Sequence, residues 1–340
     1  MKKVLQVVVP LLLAIGLMWL VLKDTDFAAV GQKLTTINYW LMGLSMVPMI
    51  GAHLARSQRW RILLEPVGPK PTFGEAFAAV MVGYLANLAL PRLGEVTRCT
   101  ILHRRTGIPV EVAIGTVLAE RAFDMVMLLV ITLLSFTLEY DKLFLFFSKL
   151  LGNTPGQPDG SKAIGGLLIY LALFVVAAIA LFYGFRKRIT KLSFYAKVLK
   201  VITGLLAGIL SAFKLKQRTQ FFAMTAAIWV GYWLSTWLCL EAVPGLDTLG
   251  PLAGLLILTV GSFGMVAPVQ GGYGPFEFML IAGLTQFYNS DKITAETGAL
   301  VTHNFQNIIV VAVGVISLLW LSATLGRHQI AKAAQTPTNI

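Results

Sequence analysis

Long apolar stretches separated by short polar ones are the main feature of this sequence. Several approach the roughly 20 residues that an α-helix needs to cross a hydrocarbon core of about 30 Å. We therefore predict an all-α integral membrane protein with six spanning helices, forming a single polytopic domain over residues 1–340. The predicted spans cover residues 4–22, 38–55, 110–137, 163–184, 219–240 and 295–325.

Two further apolar segments are predicted to enter the membrane and return without crossing it. Segment 76–91 lies between basic residues at 56–75 and at 92–105. Because basic loops are retained in the cytoplasm, both ends of this segment should lie on the cytoplasmic side. Segment 251–268 should be a second re-entrant segment, approaching from outside. Hydropathy alone would count both and give eight helices.

Charge refines the topology. The net charge is +12, with 56% hydrophobic and 13% charged residues. The basic residues lie in loops beside apolar spans, so membrane topology explains them and no nucleic-acid partner is expected. The loop charges place both termini on the cytoplasmic side of the inner membrane in which we expect the protein to lie. Segment 186–218 carries nine Lys or Arg residues and repeats apolar residues at helical spacing. It is predicted to be an amphipathic helix at the cytoplasmic interface, with a short span at 201–213 as the alternative.

The two re-entrant segments resemble each other. The first ends in NLALPRLGE (87–95) and the second in SFGMVAPVQGGYGPFE (262–277), and each is followed by a short amphipathic piece and a long span. Loop charge gives the two units opposite orientations. This pattern predicts inverted repeats at 38–137 and 219–326, the arrangement of many transporters; chance similarity is the alternative.

Polar residues lie about ten residues into the long span of each unit, close to the middle of the bilayer. Glu120, Arg121 and Asp124 carry charge there, and such side chains usually face a bundle interior or a wet cavity. They form either a structural ion-pair network or a polar pathway with a possible proton site. The corresponding residues of the second unit are His303, Asn304 and Asn307.

The turns of the re-entrant segments complete the candidate site. The arginines that follow the first proline suit phosphate, because guanidinium is a planar donor fork; ordinary flanking charge is the alternative. The glycines of the second turn permit positive φ and close approach of the backbone. The candidate substrate-binding residues are Arg92, Glu95, Arg98, Glu120, Arg121, Asp124, Gly271, Gly272, Gly274, Glu277, His303, Asn304 and Asn307.

Sequence motifs for other chemistry are missing. The sequence has no GxxxxGK[ST], GxGxxG, HExxH or GxSxG pattern, so no ATPase or enzymatic activity and no cofactor is expected. Cys99 and Cys239 are far apart and lie outside any CxxC motif, so no metal site is expected either.

Three motifs in order resemble one known family. LPRLGEVTR (90–98), LAERAFD (118–124) and PVQGGYGPFE (268–277) look like the lysylphosphatidylglycerol synthase transmembrane region, a flippase-like membrane domain. The resemblance covers nearly the whole chain. It implies lipid translocation by a stand-alone member, without the aminoacyl-transferase domain of the synthases.

The sequence therefore predicts a membrane transporter or flippase that moves a lipid headgroup through a polar groove between the repeats. Its partners would be membrane lipids, anionic or phosphate-bearing, and an oligomer remains possible. Two alternatives stay open: a transporter of a small soluble solute, and a non-transporting accessory subunit of an envelope-assembly system.

Overall fold

The structure is a computed structural model that describes residues 2–91, 93–142 and 213–334, with side chains only from 11 to 324. This part of the chain is helical and contains no strand, as predicted. Predicted span 163–184, most of segment 186–218 and the candidate Arg92 lie outside the described residues. The helices are α1 (Lys2–Leu22), α2 (Phe27–Leu34), α3 (Tyr39–Leu64), α4 (Phe73–Ala89), α5 (Leu93–Thr106), α6 (Val110–Leu138), α7 (Arg218–Glu241), α8 (Gly250–Gly264), α9 (Pro275–Tyr288) and α10 (Lys292–Ala334), with a 3-10 turn at Gln270–Gly272.

Helix α3 is longer than the apolar run that predicted it. It begins after Asn38, whose side chain accepts hydrogen bonds from the backbone N–H groups of Trp40 and Leu41. It then continues without a break to Leu64. Residues 56–64, which the loop-charge analysis counted with the basic loop, are therefore helical, and the cytoplasmic side of the stretch 56–75 stays a prediction. The basic residues of this stretch can stay in the helix because two of them have carboxylate partners on α6.

Helices α4 and α5 form an antiparallel hairpin, called hairpin 1 here. A Cβ atom on Gly94 would overlap the carbonyl oxygen of Gly83, so the two backbones approach as closely as only glycine allows. Segment 76–91 does not turn back by itself, because α4 is unbroken until Ala89 and Pro91 follows it. The return is made by α5, which the sequence showed only as a short amphipathic piece.

Helices α8 and α9 form a second hairpin, called hairpin 2. A Cβ atom on Gly264 would lie 2.6 Å from the carbonyl oxygen of Pro275, so glycine again brings the two legs together. The predicted re-entrant segment 251–268 covers only the first leg. Its return also requires the following helix, α9, beyond the turn at Gln270–Gly272.

The chain thus repeats one order of helices, long helix, hairpin, long helix, in α3–α6 and in α7–α10. Helix α3 packs along α7, hairpin 1 contacts α10, and hairpin 2 contacts α6. The tips of the hairpins meet, because a Cβ atom on Gly271 would lie 2.7 Å from Cδ2 of Leu88. This order is the one that repeats at 38–137 and 219–326 require; their inverted orientation stays a prediction.

Apolar side chains cover the outside of the described helices. Leu12, Met125 and Ile316 are each more than 60% exposed, on three different helices. Two of the described helices are long and apolar enough to cross a membrane, at Arg218–Glu241 and Lys292–Thr324. Helices α3 and α6, with 26 and 29 residues, are also long enough but carry more charge. Those charges belong to the site described next.

Candidate functional site

Seven ionisable side chains from α3, α5 and α6 form one network of ion pairs, called the charged cluster here. Each long helix presents its charged residues on one face, at spacings of three or four residues. In hairpin 1, α4 packs against α3 and α5 packs against α6, and α5 contributes the remaining two residues. The cluster consists of Arg56, Arg59, Glu95, Arg98, Glu120, Arg121 and Asp124.

Asp124 ties α6 to α3. Its Oδ2 lies 2.8 Å from Nη1 of Arg56, and its Oδ1 lies 2.7 Å from Nη2 of Arg59. Arg121, three residues earlier on the same helix, also pairs with Asp124, at a longer distance of 3.8 Å. One carboxylate therefore holds two arginines of the neighbouring helix.

Glu120 forms the buried end of the charged cluster. Its Oε2 lies 2.7 Å from Nη2 of Arg98, and its Oε1 lies 3.6 Å from Nε of Arg59. These three side chains are at most 5% exposed, and the guanidinium of Arg98 also lies 4.7 Å from the ring centre of Trp60. Loss of one partner would leave an uncompensated charge in the interior, which is strongly destabilising. This end therefore holds helices together.

Arg121 and Glu95 form the open end. Nη2 of Arg121 lies 3.1 Å from Oε1 of Glu95, and the two side chains are 40% and 26% exposed. Oε2 of Glu95 has no hydrogen-bond partner within the described part of the chain. Both side chains line a small recess on hairpin 1, together with Val80, Gly83, Tyr84, Asn87, Gly94 and Arg98.

The charged cluster has four arginines and three carboxylates. It therefore carries one positive charge in excess when all seven groups are ionised. Each buried arginine has a carboxylate oxygen within 2.8 Å, so the guanidinium most available to a ligand is that of Arg121, which is 40% exposed at the recess. An anion that offers several oxygens fits this arrangement.

A second polar group, called the turn cluster, joins hairpin 2 to α10. Nδ1 of His303 lies 2.5 Å from Oε1 of Glu277, and Nε2 of His303 lies 2.9 Å from the carbonyl oxygen of Gly271. The backbone N–H of Gly274 donates to Oε2 of Glu277 at 2.7 Å. The backbone of this turn favours glycine at three positions, because φ is +56° at Gly271, +81° at Gly272 and +94° at Gly274.

Tyr273 extends the turn cluster towards the surface. Its hydroxyl accepts from Nδ2 of Asn307 at 3.1 Å and donates to Oδ1 of Asn304 at 3.3 Å. Asn304 is exposed and Asn307 is half-buried. Among the described residues, no group of three or more His, Cys, Asp or Glu side chains is placed to hold a metal ion.

The described candidate residues thus fall into two places, one beside each hairpin. Arg56 and Arg59 were missed, although they are central to the first of these. They continue directly from an apolar run and were therefore taken as loop charge. Their spacing of three residues, matching the face formed by Glu120 and Asp124, was the signal that could have identified them.

The apolar outer surfaces, glycine-packed hairpins and buried ion pairs of the described helices are typical of a multi-pass membrane protein. The protein belongs to the family described as the lysylphosphatidylglycerol synthase TM region, whose family model matches residues 7–314. The predicted membership is confirmed. Neither the curated proteins nor the solved structures contain a match to this chain.

Proposed function

We propose that this protein moves the headgroup of a phosphate-bearing lipid across the bacterial inner membrane while the acyl chains stay in the bilayer. The observation that carries the proposal is the charged cluster, with its excess arginine and its open end at Arg121. Membership of a family named after the membrane region of a phospholipid-modifying enzyme supports a lipid as the substrate.

The physical obstacle to such movement is the cost of placing a charged headgroup in hydrocarbon, which is several kcal/mol. Arginine offsets this cost well, because its planar fork matches two phosphate oxygens. The pair between Arg121 and Glu95 is half-exposed, and exposed pairs contribute only about 0–1 kcal/mol. A phosphate can therefore replace Glu95 at Arg121, while the buried pairs of the cluster stay intact.

The route we propose passes the meeting point of the hairpins. Asn87, which lines the recess, accepts a hydrogen bond from the backbone N–H of Gly94 at 2.7 Å. Its neighbour Leu88 contacts Gly271, and the exposed Asn304 accepts a hydrogen bond from Tyr273, two residues after Gly271. Polar groups thus stand on both sides of the hairpin tips. We propose that the tips act as the gate between inverted repeats, with both termini in the cytoplasm as loop charge indicates.

No ATP-binding motif occurs in the sequence, so we propose movement that is downhill or coupled to an ion gradient. The test is translocation in vesicles with the purified protein, using acyl-labelled lipids and a quencher added outside. We expect phosphatidylglycerol to reach the outer leaflet faster than in protein-free vesicles, and diacylglycerol galactoside, which lacks phosphate, to be moved less. Equal acceleration of both lipids, or of neither, would contradict the proposal. Uptake of a soluble phosphate ester without lipid movement would support the soluble-solute alternative.

A further inference from the structure

The contact between Glu277 and His303 requires a proton that the residues do not hold in their ordinary neutral-pH forms. Nε2 of His303 faces the carbonyl oxygen of Gly271, which can only accept a hydrogen bond, so Nε2 carries hydrogen. In neutral histidine the other nitrogen, Nδ1, is then an acceptor. It faces Oε1 of Glu277 at 2.5 Å, and an ionised carboxylate is also only an acceptor. One further proton must therefore lie between them, on Glu277 or on His303.

The surroundings favour this electrically neutral, proton-loaded pair. Glu277 is fully buried and His303 is 3% exposed. The rings of Tyr273 and Phe276 lie 4.5 Å and 4.4 Å from the imidazole, centre to centre. Within the described part of the chain, no Lys or Arg forms an ion pair with Glu277. An ionised Glu277 beside a neutral His303 would be a buried charge without a paired cation, stabilised only by neutral hydrogen-bond donors such as the N–H of Gly274.

Among the described residues, the contacts made by the turn cluster add one more titratable group. Helix α8 contains no ionisable residue, and α1 meets the turn at Gly274 through Leu17 and Met18. Hairpin 1 meets it through Leu88, at Gly271. Tyr273 is the titratable side chain in contact with His303, and its hydroxyl bonds to Asn307 instead. Whether the extra proton is bound therefore depends mainly on Glu277 and His303 themselves.

Loss of this proton changes which bonds the imidazole can make. With one hydrogen left, His303 can donate either to Glu277 or to the carbonyl of Gly271, but not to both. The bond to the ionised carboxylate is the stronger one, because it is charge-assisted. Nε2 then becomes an acceptor facing another acceptor, and the carbonyl of Gly271 is released.

We propose that Glu277 and His303 form a proton-binding site that latches the glycine turn of hairpin 2 onto α10 and releases it when the proton leaves. The closed latch binds one more proton than the open latch, so its population falls as pH rises. Because Gly271 contacts Leu88 at the tip of hairpin 1, release of the turn frees the meeting point of the hairpins. The proton would then be the ion coupled to headgroup movement. That coupling rests on the proposed function, whereas the proton site does not.

Hydrogen–deuterium exchange of the turn tests the latch in the full-length protein in detergent, without any transported lipid. In the closed turn, the backbone N–H groups of Gly272, Tyr273 and Gly274 are hydrogen-bonded. After correction for the intrinsic rate, we expect their exchange to rise with pH, by up to about tenfold per pH unit while the turn is mostly closed, and to level off once it is mostly open.

Two variants and a control separate the latch from a general loss of structure. In Glu277→Gln, the amide can accept from Gly274 and donate to Nδ1 of His303, so the turn should stay protected at every pH. In His303→Phe it should exchange fast at every pH. Glu296→Gln, which removes a different buried carboxylate, on α10 and outside the turn cluster, should keep the wild-type pH dependence.

The proposal is overturned if wild-type exchange does not depend on pH beyond the intrinsic rate, or if Glu277→Gln retains the wild-type dependence. Because no lipid is moved in this measurement, either result would leave the translocation proposal standing. Conversely, a protein that moves no lipid but shows this exchange pattern would retain the proton site and lose the proposed function.

Discussion

The charged cluster and the turn cluster occupy matching positions in the two groups of four helices. Glu95 and Glu277 are each the third residue of the second leg of a hairpin, in α5 and in α9. Each reaches a residue about ten positions into the following long helix, Arg121 in one case and His303 in the other. The same backbone arrangement therefore carries two kinds of chemistry.

The difference lies in how charge is compensated. In the charged cluster, guanidinium groups neutralise the carboxylates permanently, because arginine does not lose its proton in proteins. In the turn cluster, a histidine faces the carboxylate, and the pair is neutral only while it holds a proton. The charged cluster therefore keeps a fixed positive charge that can bind an anion, whereas the charge state of the turn cluster changes with pH.

The largest expected loss of stability follows removal of a carboxylate from the charged cluster. Asp124→Asn leaves Arg56 and Arg59 without their close carboxylate, and removal of one partner from a buried ion pair costs about 3–5 kcal/mol. We expect the free energy of unfolding in detergent to fall by this amount. Glu111→Gln, at an exposed carboxylate near the start of the same helix, should change it by less than about 0.5 kcal/mol. Similar stability of the two variants would show that the network does not hold the helices together.

Much of this fold could be predicted from the sequence, but the network could not. Apolar runs of membrane length locate α1, α6, α7 and α10 closely, since hydrophobicity and length decide such helices. The return legs were missed because their sequences, such as that of α5, are polar enough to resemble a loop. Arg56 and Arg59 were missed because a charge that follows an apolar run looks the same whether it lies in water or pairs with a distant helix. The contact between Leu88 and Gly271 joins residues far apart in sequence, and no local pattern encodes it.

The next largest loss of stability is expected from a substitution that separates the two helices of hairpin 1. Gly94→Ala places a methyl group against the backbone of Gly83, and overpacking of this kind costs about 1–3 kcal/mol. Gly115→Ala on α6, where a Cβ atom meets nothing within 4 Å, should instead be neutral or stabilising by up to about 1 kcal/mol. Thermal unfolding of both variants checks this. An unchanged stability of the Gly94→Ala variant would mean that the two legs of hairpin 1 do not approach as described.

The smallest loss of stability is expected from a substitution in the turn cluster. Glu120 and Glu277 are both fully buried carboxylates. At neutral pH, Glu277→Gln should lower the free energy of unfolding by less than about 1 kcal/mol, because the amide keeps both hydrogen bonds. Glu120→Gln should cost several kcal/mol, because it leaves Arg98 unpaired. The free energy of unfolding of both variants should be measured under the same conditions. Equal losses would contradict the difference we infer between the charged cluster and the turn cluster.

The most direct test of the central claim is the initial rate of phosphatidylglycerol translocation by Arg121→Gln in vesicles, beside Arg104→Gln, the same change at an exposed arginine of α5 outside the cluster. A hydrogen bond to a charged group contributes about 1.5–3 kcal/mol, so the Arg121 variant should be about 10–100 times slower. Its stability should stay within about 1 kcal/mol of the wild type, because its ion pair is half-exposed. Arg104→Gln should keep the wild-type rate. A stable Arg121→Gln protein that moves the lipid as fast as Arg104→Gln would contradict the account.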